Sequence, residues 1–217
     1  MKPVLLILLI LPHLLFGQSA EDILTSVKAQ LPKSPLTLTG RFRHTSITGQ
    51  VRTRLPAYAA LHLGASPPQA SYQIGEQHLR IKWIDQQPTF NFSPEGVTAN
   101  QPISESAMRW YDLGFSYLWW SDARLIGTSQ KLNRPAWLIE VPAKNEHEVL
   151  HLWVDQSMQM LLEVQRLDAQ RKKISTLRIK RLKKIDEQLF FPKLIEIINH
   201  ANGERTSLTL DQIEIER

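Results

Sequence analysis

The sequence predicts an α+β chain built on one curved antiparallel sheet of about ten strands. The sheet forms an incomplete β-barrel, with an N-terminal helix and a central helical insertion over its concave face. Three observations predict this. The apolar period changes from helical to two at residue 36 and stays near two in most segments that follow. Most connections between those segments are short and polar, which implies antiparallel pairing, because parallel neighbours need long crossovers. One dense apolar stretch, residues 104–120, interrupts the strands and reads as helical. A sheet with a few helices packed against it is a two-layer arrangement.

The elements follow in order. Residues 1–19 carry Lys2, an unbroken apolar run at 4–11, and the small residues Gly17 and Ser19. That is the pattern of a cleavable signal peptide. The run is short for a bilayer span, which needs about 20 residues. A single mature domain, residues 20–217, exported to the periplasm, is therefore expected. Residues 20–31 fit an amphipathic helix, with Glu21 and Asp22 at its N-terminal dipole and Ile23, Leu24, Val27 and Leu31 near one face. Pro32 and Pro35 end it. Leu36, Leu38, Gly40 and Phe42 then alternate with Thr37, Thr39, Arg41 and Arg43. Residues 51–63 and 72–84 continue as strand-like pieces, with turn signals at Gly49, 64–68 and Gly75. Residues 85–105 hold three prolines and little periodicity, so they read as a loop. Ser104 or Ser106 suits the cap of a short helix. Strands resume at 136–141, 149–155, 160–167, 174–183, 190–199 and 207–216, with turns at 155–157, 168–170, 186–188 and 202–203.

Composition excludes several chemistries. With 42% hydrophobic and 22% charged residues the 217-residue chain is globular. It has no cysteine, so disulfides, thiolate nucleophiles, cysteine-ligated metals and an acylated lipoprotein cysteine are all ruled out. A net charge of +5 permits contact with an anionic membrane surface or an acidic envelope partner without calling for nucleic acid. Much of it lies in Arg171, Lys172, Lys173, Arg178, Lys180, Arg181, Lys183 and Lys184, which reads as a solvated strand face. Asp85, Asp112, Asp122, Asp155 and Asp186 are scattered near expected turns. His44, His62, His78 and His200 read as surface or satisfied residues. No nucleotide-binding or nucleophile-elbow motif is present, and neither a cofactor nor a metal is expected.

One string competes with a non-enzymatic reading. Residues 147–151 spell His147-Glu148-Val149-Leu150-His151. On a helix this spacing brings two imidazoles to one zinc and leaves the glutamate to activate water. The flanking sequence, however, reads as a strand. There the histidines would stand about 13 Å apart, at roughly 3.3 Å per residue, far beyond two Zn–N bonds of about 2 Å. A zinc-dependent hydrolase remains an alternative on this motif alone.

The segment DLGFSYLWW at 112–120 resembles the LolA-like outer-membrane lipoprotein-sorting proteins, in their less characterised branch. The likeness continues at Gly127, at Arg134-Pro135-Ala136-Trp137, at Leu152-Trp153-Val154-Asp155 and at Leu161-Leu162-Glu163-Val164. It runs on through Phe191-Pro192-Lys193-Leu194 and Gly203-Glu204-Arg205-Thr206. The resemblance implies an unclosed barrel with a helical lid over an apolar cavity, in which lipoprotein acyl chains are sheltered during periplasmic transport for outer-membrane biogenesis. It also implies an arginine before a proline that holds the lid. The nearest string here is Arg54-Leu55-Pro56, with a leucine interposed.

The expected ligand is thus a lipid or a lipoprotein acyl chain, bound without catalysis. Candidate cavity residues are Phe42, Leu79, Ile81, Trp83, Phe115, Trp119, Trp120, Trp137, Trp153 and Leu162. Five of the six tryptophans fall between residues 110 and 153, and each buried CH₂ of an acyl chain against such walls is worth roughly 0.8 kcal/mol. The same side chains could fill a dry core instead; the resemblance, not the periodicity, favours a cavity. Trp119 and Trp120 are adjacent and cannot face the same side, so one is expected in the core and the other near a surface or pocket. A third reading is a periplasmic sensor or scaffold that binds a protein and has no ligand cavity.

Overall fold

A computed structural model of the chain describes residues 18–143, 147–185 and 189–216. Most of the expected leader and the turn at 186–188 lie outside the described residues. Helix α1, Ala20–Ala29, starts at a reciprocal cap. The Asp22 backbone N–H donates to Ser19 Oγ, and the Ser19 backbone N–H donates to the Asp22 carboxylate. Ile23, Leu24 and Val27 form its buried face.

Twelve antiparallel strands follow: β1 Leu36–Thr45, β2 Val51–His62, β3 Gln69–Ile74, β4 Gln77–Ile84, β5 Gln87–Ser93, β6 Arg124–Lys131, β7 Arg134–Pro142, β8 Val149–Asp155, β9 Leu161–Leu167, β10 Lys173–Lys184, β11 Phe190–Asn199 and β12 Arg205–Ile215. They make one sheet in the order β5-β4-β3-β2-β1-β12-β11-β10-β9-β8-β7-β6. Consecutive strands pair throughout except β5 and β6, and at the centre β1 also pairs with β12. Between β5 and β6 the sheet is open. These two strands are consecutive in sequence, so the segment joining them, residues 94–123, must cross from one edge to the other. It carries α2, Trp110–Leu113, and a 3-10 turn, Ser116–Trp119. The lid is therefore a consequence of topology: the chain roofs the concave face because it has to bridge the open seam.

Two of the twelve strands escape the sequence pattern. β5 falls in the expected loop 85–105, and β6 has no counterpart in the expected list. Both are edge strands. β5 tolerates Pro88 because an edge residue can leave its ladder position unfilled, and β6 is exposed along most of its length, so no alternation marks it. A bulge between Leu125 and Gly127 and the cations at its ends blunt this edge against further pairing. Gly40 in β1 is required by close approach, since a Cβ there would lie 2.2 Å from the Thr209 carbonyl oxygen, where β1 bulges against β12.

One continuous core joins the concave face, α1 and the lid. It includes Leu36, Phe42, Ile81, Trp110, Tyr117, Ile139 and Leu152, each almost wholly buried. A smaller cluster, Ala136, Trp153 and Leu162 with Leu138 against it, is separate from it. Ala136, Leu138 and Trp153 face away from the main core by the regular alternation of β7 and β8, and a bulge in β9 adds Leu162 to them. Trp153 pairs with Glu163 and the next residue, Val154, pairs with Leu161, so Leu162 is an extra residue in β9 and the alternation slips by one.

That outer cluster is clasped by charge. Lys131 Nζ stands 4.1 Å from the Trp153 ring centre and 2.6 Å from Glu163, whose carboxylate also accepts from Arg178 and Gln165. Burial would raise the Glu163 pKa, but the bonds from Lys131, Arg178 and Gln165 outweigh it and hold the carboxyl below 4.5. A depressed folded-state pKa contributes stability that is present above the unfolded value and lost as pH falls through the folded one. Glu163→Gln is expected to cost about 1–2 kcal/mol at neutral pH. The difference from the parent should shrink as pH falls below about 4.5. Urea unfolding at several pH values measures this, and a cost independent of pH would contradict it.

Candidate functional site

Under the lid lies a cavity of about 420 Å³. This is inside the range of roughly 300–1,000 Å³ typical of small-molecule sites. The sheet contributes Leu61 from β2, Tyr72 from β3, Trp83 from β4, Ile179 from β10, and Phe190, Phe191 and Pro192 from β11. Leu113, Gly114, Phe115, Leu118 and Trp119 form the roof. The end of α1, with Val27, Gln30, Leu31 and Pro32, and the β8–β9 turn at residues 157–161 close the sides. Gln30 Nε2 donates to Gln159 Oε1 at 3.3 Å and ties those two sides together. A pocket of about 40 Å³ shares Leu61, Tyr72, Leu113, Phe115, Phe191 and Pro192 with the main cavity and reaches Leu38, Ala57, Ile195, Leu208 and Leu210. Tyr72 sits deep in the protein, and burial pushes its phenol pKa up. It still keeps accessible surface because it faces this space.

The roof is built from irregular backbone. Gly114 follows α2 and packs so closely on β4 that a Cβ would meet Ile81 Cδ1 at 2.7 Å. Phe115 adopts left-handed backbone, φ 46° and ψ 40°, which costs a non-glycine residue on the order of 1 kcal/mol. Trp119 packs on Trp83 with ring centres 5.0 Å apart, and Lys28 of α1 stands 6.0 Å from the Trp119 ring centre.

The other end of the lid is anchored by buried charge. Asp112 accepts the Arg109 backbone N–H at 2.8 Å, and its carboxylate lies 3.5 Å from Arg166 Nη2. Arg166 projects from β9, and its Nε lies 3.6 Å from Glu148 Oε2. Glu148 is also 3.3 Å from the Arg109 guanidinium, and the Arg166 guanidinium stands 5.3 Å from the Tyr111 ring centre. Asp112 and Arg166 are both about 95% buried. Burial pushes the Asp112 carboxyl above its usual value, against the pull of Arg166 and Arg109. Beneath the same lid, Trp110 Nε1, Ser116 Oγ and the Tyr117 hydroxyl are buried without a hydrogen-bond partner among the described residues.

Of the ten candidate residues, Trp83, Phe115 and Trp119 line the cavity. Phe42, Leu79 and Ile81 are buried in the main core and are not among its lining residues. Trp137 and Trp120 pack half-buried against that core, Trp120 edge-on to Tyr111 and Tyr117. Trp153 and Leu162 lie in the outer cluster, away from the cavity, Trp153 by the alternation of β8 and Leu162 by the bulge in β9. Arg54, in the string nearest to the implied lid-holding arginine, is exposed on β2; Arg166 reaches the lid from β9, and Arg109 ties the lid to Glu148. Asp112, expected near a turn, is part of this buried anchor. A lone arginine within the otherwise compact strand Leu161–Leu167 was the available signal for Arg166.

The zinc-motif residues lie on no helix: His147 is at a bend, and His151 is in β8. His147 precedes β8, Glu148 is engaged by Arg109 and Arg166, and His151 Nε2 lies 3.2 Å from Glu140 across the β7–β8 pair. No group of three or more His, Cys, Asp or Glu that could hold a metal ion occurs among the described residues.

Comparison with known proteins agrees with this geometry. Residues 96–217, more than half of the chain, match the model of a family described as "Uncharacterized protein". No curated protein matches the sequence. A DUF1329 family protein from Desulfovibrio piger superposes with a TM-score of 0.74 at 11% identity, over 91% of this chain and 92% of that one. A putative outer membrane lipoprotein-sorting protein domain from Vibrio parahaemolyticus gives 0.72 at 12%, again over 91% and 92%. A LolA superfamily protein from Nitrosomonas europaea gives 0.64 at 13%, over 93% and 95%. The fold is therefore the LolA-like open barrel.

Proposed function

Because the chain belongs to the uncharacterized-protein family whose model spans residues 96–217 and has the LolA-like fold, we propose that it binds a hydrophobic ligand, a lipid or the acyl chain of a lipoprotein, in the cavity beneath the lid. The observation that carries this is the roofed, mostly apolar space of about 420 Å³ between lid and sheet. Burying apolar surface is non-directional, so a slot lined by Leu61, Trp83, Phe115 and Phe191 suits hydrocarbon without a set of matching polar groups.

A ligand must also get in. The lid closes with Trp110 Nε1, Ser116 Oγ and the Tyr117 hydroxyl unpaired among the described residues, each costing on the order of 1–3 kcal/mol that water would relieve on opening. The Arg166–Asp112 pair acts as the hinge-side anchor, and the Phe115–Trp119 end, held by aromatic packing and Lys28, is the part that lifts. In this reading the protein is a carrier that works after export by its leader; no helix among the described residues is long and apolar enough to cross a membrane.

Native mass spectrometry of the protein, extracted with its membranes and released gently, tests the proposal. Mass increments that match lipids or acylated peptides are the expected result. A ligand-free protein that also leaves fluorescent fatty-acid probes unbound would defeat it.

A further inference from the structure

The mouth of the cavity is formed in part by the turn end of the β10–β11 hairpin. Phe190 and Phe191 line it, and the strand register sets Lys184 opposite Phe190 and Lys183 opposite Phe191. Directly paired residues share a face of the sheet. Whichever wall of the mouth a phenylalanine presents, a lysine therefore stands beside it. Both lysines are exposed and have no ion-pair partner among the described residues. Two other cations of the strand differ in this respect: Arg178 is bound to Glu163, and Lys180 lies 2.9 Å from Glu196. Residues 178–193 contain six cations against two acids, Asp186 and Glu187, so the hairpin as a whole is positive.

We propose that the cavity is selective for an anionic amphiphile, whose hydrocarbon lies under the lid while its carboxylate or phosphate head is held at the mouth by Lys183 and Lys184. This rests on the cavity being the ligand site. A slot lined by hydrocarbon sets the chain, and the ammonium groups at its rim set the head. Without the charge, the apolar slot would take a neutral chain equally well.

Dodecanol, dodecanoate and dodecyl phosphate, each below its micellar concentration, are to be titrated against the mature protein carrying a bound fluorescent apolar probe. The expected result at low salt is that one or both anions displace the probe about fivefold more tightly than the alcohol. The advantage should fade at about 0.5 M salt, as a partly exposed charge interaction must. Lys183→Gln/Lys184→Gln should abolish the advantage and leave dodecanol affinity unchanged. Lys183→Glu/Lys184→Glu should reverse it. Which anion binds better tells a fatty acid from a phosphate-headed lipid. Equal binding of alcohol and anions, or a preference that survives both double variants, overturns the lysine clamp and leaves the cavity standing. Failure of all three compounds to displace the probe overturns the cavity reading and the clamp together.

Discussion

Arg166→Met is expected to destabilise the protein by about 3–5 kcal/mol at neutral pH, the usual cost of removing one partner of a buried ion pair. For a domain of this size that lowers the unfolding midpoint by roughly 10 °C. The reason is what the substitution leaves behind. Asp112 is almost wholly buried and Glu148 mostly so, and Arg166 is the cation that touches both. Arg109 still reaches Glu148. Asp112 keeps the backbone N–H of Arg109 but loses the guanidinium at 3.5 Å. Its carboxyl is already raised by burial, with Arg166 pulling it back. An acid whose folded pKa is raised weakens the fold as pH climbs from the unfolded value toward the folded one, because ionisation is easier in the unfolded chain. Without Arg166 that interval widens upward. The variant should therefore recover stability relative to the parent as pH falls from neutral toward about 5. Asp112→Asn in the same chain should restore part of the loss, since the double variant no longer buries an unpaired carboxylate at that site. Chemical unfolding of the two single variants and the double variant makes the cycle. An Arg166→Met protein within about 1 kcal/mol of the parent at every pH would show that the pair does not anchor the lid.

What could be read in the sequence, and what could not, follows the same physics. The helix at 20–29 and most strands from 36 to 84 and from 134 to 215 are legible because they have one wet face and one dry face, so their periods show; β9, buried on both faces, is legible as a short apolar run bounded by turns. β5 and β6 are not, because an edge strand with two exposed faces has no period to display. Leu162 escapes strict alternation because a bulge in β9 turns it outward, whereas Trp153 lies outside by the regular alternation of β8, in which Leu150, Leu152 and Val154 face the core. The aromatic surplus near the lid fits a dry core as well as a cavity, the expectation of a cavity rests on the resemblance, and only Trp83, Phe115 and Trp119 among the candidates line the space beneath the lid. The walls from Met158 to Leu161 and from Phe190 to Pro192 come from strand ends and a turn, brought together by the sheet's curvature and not by any local pattern. The lid anchor was missed for the opposite reason. A resemblance pointed to an arginine near a proline in β2, while the charge that holds this lid projects from β9.

Leu61→Trp separates an open cavity from a filled core by the sign of two effects at once. Leu61 is 96% buried and borders both the main cavity and the smaller pocket beside it. In a close-packed interior a larger side chain forces strain, and overpacking costs typically 1–3 kcal/mol. Here the indole has somewhere to go. It would extend toward Tyr72 and Phe115 into space of about 420 Å³, gaining contacts that the leucine lacks. Stability is therefore expected to stay within about 0.5 kcal/mol of the parent, or to rise. Binding should move the other way. The indole would occupy the volume proposed for hydrocarbon, and each methylene it excludes forfeits roughly 0.8 kcal/mol. Displacing two of them already lowers affinity for a long-chain probe about tenfold or more. Thermal unfolding with a fatty-acid probe titration on the same sample reads both. Tight probe binding that survives Leu61→Trp would place the ligand elsewhere. A loss of stability of 1–3 kcal/mol with no change in binding would mean that the space under the lid closes on itself in solution.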